Sequence, residues 1–147
     1  MAHMNFYWGI ITSINSIALS IWIGSIFFYC LSVQSSVGLL DKTLKSSVLL
    51  QNLKRIYQLN GFNAFAILIC QLILFIHHYF DKTVNWSGYA AIITTILMII
   101  FHLYSFTSAY QKANRSIRPK TDLYNKICNI FKLIIFLGII DILLLNF

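Results

Sequence analysis

The chain has 147 residues, 59% of them hydrophobic and only 10% charged, with a mean hydropathy of +0.75. So little charge cannot cover the surface of a water-soluble domain, which excludes that class and leaves an integral membrane protein. The formal net charge of +7 does not point to nucleic acid. The basic residues gather in two connections between apolar runs, where membrane orientation and anionic headgroups account for them.

Four apolar runs predict an all-α, integral membrane four-helix bundle in a single domain, with spans at about 6–33, 56–79, 88–111 and 127–147. A span needs ~20 apolar residues at ~1.5 Å rise each. Met1-Ala2-His3 before Met4 looks like an expression scar. The run after it is long, aromatic and without a basic start, so it reads as a permanent span and not a cleaved signal peptide. Along the first span Gly9, Ser13, Ser16, Ser20 and Gly24 share one helical face. Such a small-residue seam lets a neighbouring backbone approach closely. Packing inside the bundle is its first reading. A homodimer or another membrane partner is the alternative.

Residues 34–54 read as a polar connection, with Leu49, Leu50 and Leu53 beginning an interfacial helix. In the second span Asn60, Asn63, Gln71 and His78 fall on one stripe, which in hydrocarbon must face protein or a cavity. His77 and His78 end this span beside Tyr79 and read as interfacial, since sequence neighbours point to different helical faces. A short loop with Trp86 and Tyr89 as an aromatic belt follows. The third span has no Asp, Glu, Lys or Arg but carries His102. The fourth carries Lys132 and Asp141, after a connection containing Pro119. Cys30, Cys70 and Cys128 all lie in apolar runs without CxxC spacing, so neither zinc nor covalent haem is indicated.

Lys42, Lys45, Lys54 and Arg55 mark the first connection. Lys112, Arg115, Arg118, Lys120 and Lys126 mark the third, against Lys82 alone in the second. The positive-inside rule then places connections one and three in the cytoplasm and both termini outside. Counting residues puts His102 and Lys132 each ~14 Å from the cytoplasmic boundary, with Asn63, Ser25 and Trp22 at similar depth. An ionisable group at that depth is a functional candidate by default. His102 is the foremost such candidate, and Lys132 is the expected partner of a ligand carboxylate or of backbone carbonyls.

At these residues the chain resembles the HemJ-type membrane protoporphyrinogen IX oxidases, within a wider group that includes the CopD-type copper-resistance domain. Trp22-Ile23-Gly24 followed by Phe27-Phe28-Tyr29 resembles the family's first-helix aromatic run. Leu53-Lys54-Arg55-Ile56 with Asn60-Gly61 resembles the entry to the second helix, and Phe101-His102 the third-helix histidine. The resemblance implies a bacterial inner-membrane protein that binds haem b and oxidises protoporphyrinogen IX, with His102 carried over as ligand or catalytic residue. Asn15 stands where the family has a first-helix histidine, and Lys132 is the candidate replacement for a third-helix lysine that falls at about Ala91. The expected porphyrin- or haem-binding set is therefore His102, Lys132, Asn63, Asn15, Trp22 and Gln71, with His102 as the metal ligand. The alternatives are a CopD-type metal or small-solute transport protein and a non-catalytic membrane partner.

Overall fold

The computed structural model describes residues 2–37, 40–80, 86–116 and 121–145. Residues 81–85, Pro119 and the side chain of His78, each given a role above, lie outside what is described. Four long helices form the fold: α1 (Ala2–Phe28), α2 (Lys42–Phe80), α3 (Trp86–Ser105) and α4 (Thr121–Leu145). A π-helical turn at Tyr29–Val33 and a last turn at Gln34–Ser36 extend α1. A second π-helical turn at Phe106–Tyr110, then Gln111–Arg115, extends α3. All four helices, with these extensions, are long and apolar enough to cross a membrane, as the composition predicts.

Helix α1 packs along α2 and α3 along α4, while α1 also touches α4 and α2 touches α3. The chain thus runs around a square, with the pairs α1/α3 and α2/α4 on its diagonals. Its core is built from the inward stripes Leu19, Trp22, Ile26 and Tyr29 on α1, Leu53, Tyr57, Ala64 and Ile67 on α2, and Ile127, Phe131 and Ile134 on α4. Spacings of three, four and seven residues put each set on one helical face.

One expected boundary is corrected. The helix expected to begin at Leu49, Leu50 and Leu53 begins earlier, at Lys42. At 39 residues α2 would run ~58 Å, far longer than the ~30 Å hydrocarbon core. The extra turns are helical because Leu49 and Leu53 join a core cluster with Val37 at the end of α1 and Tyr124 at the start of α4. The Ser46 and Tyr124 hydroxyls pair at 3.3 Å across the same junction. Helix α4 starts at Thr121, six residues ahead of the apolar run at 127–147.

The small-residue seam is also corrected. Gly9, Ser13, Ser16, Ser20 and Gly24 are all exposed on the outside of the bundle. A Cβ added at Gly9 or Gly24 would meet nothing within 4 Å. The seam serines turn their hydroxyls back onto their own helix, Ser13 to the Gly9 carbonyl and Ser20 to the Ser16 carbonyl at 2.8 Å each. The large side chains on the opposite face of α1 bury more apolar surface, and they take the interior.

Candidate functional site

His102 is buried, on the interior face of α3 one turn before the π-helical turn. Trp22 of α1 meets its ring edge-on, with centroids 5.6 Å apart, and Tyr57 of α2 packs on it at 5.0 Å. The His102 Nδ1 is buried with no partner. Tyr57 organises the surroundings. Its hydroxyl pairs with Ser105 at 2.6 Å, and its ring contacts Phe106, Tyr110 and Phe131 with centroids 5.0–5.8 Å away.

Beside this aromatic cluster lies a groove of about 360 Å³ between α2 and the extended α3. Its walls include Lys54, Tyr57, Gln58, Gly61, His102 and Tyr110. The π-helical turn, closed by the Gln111 N–H on the Phe106 carbonyl five residues back, stacks Phe106 on Tyr110 at 5.2 Å to complete the rim. Extra backbone of this kind inside a helix recurs at functional sites. Gly61 is one of the lining residues, and a Cβ there would meet no atom within 4 Å.

The residues expected around His102 divide into three groups. Trp22 joins it directly, and Asn63 is half-buried with its Nδ2 lacking a partner. In the same layer Ser25 donates to Asn60 Oδ1 at 3.0 Å. Lys132 does not face the interior: it is exposed on the outside of α4. It follows Phe131, which is fully buried, and one residue turns a helix by ~100°. The midplane layer therefore lacks that lysine, and Lys54 is the basic side chain at the His102 groove.

Asn15 and Gln71 are buried but belong to a second layer. Antiparallel register between α1 and α2 is fixed by Trp8 against His77, with centroids 3.7 Å apart, and by the Ser25–Asn60 bond. On that register Asn15 and Gln71 are level with one another. Asn15 is seven residues from Trp22, ~10 Å along the axis. Gln71 donates to Asp141 Oδ2 at 3.0 Å, diagonally across the bundle, and Thr95 donates to the same oxygen at 2.9 Å. Thr94 donates to Oδ1 at 2.9 Å.

Asp141, fully buried, is the residue that reading by depth passed over, because it lies near the end of its span. Being the acidic residue of an otherwise apolar run, with a threonine pair in the run before it, was the available signal. Tyr57 and Ser105 carried no such signal; only the tertiary contact of α2 with α3 reveals them.

Cys30, Cys70 and Cys128 are free thiols, as the spacing indicates, and Cys30 lies 3.2 Å from Cys128 between α1 and α4. Among the described residues no three His, Cys, Asp or Glu side chains converge as metal ligands. No protein-family model, curated protein or solved structure matches this chain.

Proposed function

We propose that this multi-pass membrane protein binds a flat, amphipathic, anionic-ended ligand of the porphyrin or haem class in the groove beside His102. The observation that carries the reading is the state of that imidazole: a buried, unpartnered Nδ1 on a ring that forms a groove wall. A buried ring nitrogen without a protein partner is free to meet a ligand. Aromatic rings from Tyr57, Phe106 and Tyr110 suit a planar macrocycle. Lys54 at the groove suits its carboxylates, the role first expected of Lys132.

A volume of about 360 Å³ is at the small end of ligand sites, which run from ~300 to ~1,000 Å³. A macrocycle seated here would therefore share its outer edge with lipid. Bound haem would supply one-electron redox chemistry; the chain's own part is to anchor, orient and exclude water. The charge of the first and third connections supports a membrane orientation with both termini outside the cytoplasm.

The test is an absorption titration of detergent-purified protein with haem. Wild type is expected to give a shifted Soret band that His102→Ala abolishes. Gly61→Leu serves as the control for folding. It fills the groove from an open position on an exposed helix face, so it should keep or raise stability while removing the band. A band that survives both substitutions refutes the site.

A further inference from the structure

The layer around Asp141 stands apart from the haem groove, and nothing in the proposed function uses it. It is drawn from all four helices: Asn15 on α1, Gln71 on α2, Thr94 and Thr95 on α3, and Asp141 on α4. Asn15, Thr95 and Asp141 are fully buried and Gln71 is 4% exposed. Among the described residues every hydrogen bond to the carboxylate comes from a neutral group. The nearest basic residue in its own helix, Lys132, is nine positions away and exposed on the outer face.

Among the described residues, charge and hydrogen bonding are both left unbalanced by this arrangement. A buried carboxylate without a counter-charge is costly in hydrocarbon. At the same level Gln71 Oε1 and both Asn15 amide atoms are buried with no partner. Gln71 Oε1 belongs to the amide whose nitrogen already touches Asp141, so it lies beside the carboxylate. Thr95 gives its proton to the carboxylate, and the Thr94 hydroxyl lies 2.9 Å from both Asp141 Oδ1 and the Ala91 carbonyl, so each threonine oxygen keeps a free lone pair. The result is a set of oxygen atoms from carboxylate, amide and hydroxyl groups, short of one positive charge. Hard cations choose oxygen donors of this kind. A single carboxylate balances a single charge, whereas a divalent ion would leave a net positive charge in the apolar interior.

We propose that Asp141, with Gln71, Thr94, Thr95 and Asn15, forms an intramembrane site for a small monovalent cation such as Na⁺. Asp141 supplies the charge. Gln71 and Asn15 supply neutral oxygens that have no other partner, and the threonines hold the carboxylate in place. The α2–α4 diagonal would then be closed by the ion as well as by the Gln71–Asp141 bond. Ion binding would tighten the half of the bundle in which α1 begins and α4 ends.

The experiment is thermal unfolding of the purified full chain in detergent. NaCl replaces choline chloride at constant ionic strength, at several fixed pH values. Binding to the folded state raises Tm by mass action, by about 5–10 °C as Na⁺ reaches a hundredfold excess over its dissociation constant. Asp141→Asn should abolish the dependence. Thr95→Val keeps shape and removes one hydroxyl, so it should shift the dependence to higher Na⁺. The wild-type titration decides the matter even if Asp141→Asn fails to fold. A Tm indifferent to Na⁺, one that responds to pH alone, or a Na⁺ dependence that persists in Asp141→Asn would overturn the proposal.

Discussion

Gly138 on α4 lies between the two polar layers, and the packing there can be worked out from contacts. A Cβ at this position would sit 2.6 Å from Ile23 Cδ1, 2.8 Å from Ile23 Cγ1 and 3.3 Å from Met98 Cε. Carbon atoms prefer ~3.5–4.0 Å, so Gly138→Ala forces the Ile23 side chain into another rotamer or pushes α4 from α1. Overpacking of this kind costs ~1–3 kcal/mol. Against it, alanine is the better helix former by ~1 kcal/mol. The net effect is a destabilisation of about 0–2 kcal/mol, set by how freely the half-buried Ile23 can move.

A double-mutant cycle separates the two terms. Ile23→Ala removes the obstructing atoms, so in that background Gly138→Ala should become stabilising by up to ~1 kcal/mol. The assay is reversible unfolding in mixed micelles with increasing SDS, followed by tryptophan fluorescence. Gly138→Leu should be severely destabilising, since Met98, fully buried, blocks the second direction. If Gly138→Ala is stabilising in the wild-type background, and Ile23→Ala leaves its effect unchanged, the close approach of α1 and α4 is refuted.

Two further outcomes follow from the placement of single residues. Lys132→Ala should leave haem affinity within about twofold, because the side chain faces outward, while Lys54→Ala should weaken a carboxylated porphyrin about tenfold, one charge-assisted contact's worth; absorption titration compares them, and the reverse ranking would refute the assignment of the anionic end. Cysteines placed at Ser16 or Ser20, on the outward seam, should give disulfide-linked dimers on mild oxidation in membranes if α1 self-associates through its small residues; non-reducing gels report it, and exclusively monomeric product would make the seam a lipid-facing surface.

The sequence by itself determined that the protein spans a membrane four times, because length and apolarity of a run are local quantities that bilayer thickness converts directly into spans. Of the predicted stripe of Asn60, Asn63, Gln71 and His78, Asn60 and Gln71 are buried and Asn63 is half-buried, since helical periodicity alone puts amides on an inward side. Depth was legible too: Trp22 and His102 were placed at one level and do touch.

Rotation about each helix axis was not legible, because depth counts residues while facing depends on which neighbour wins the contact. Lys132 was right in depth and turned outward by its position after Phe131. The glycine–serine seam had the right spacing for packing, yet lost the interior to the bulkier Leu19, Trp22 and Ile26 face. Only tertiary structure could pair Asp141 with Gln71 and two threonines, since that layer joins side chains separated by up to 70 residues. The same holds for Tyr57, an ordinary aromatic in the sequence, which the α2–α3 contact makes the centre of the His102 site.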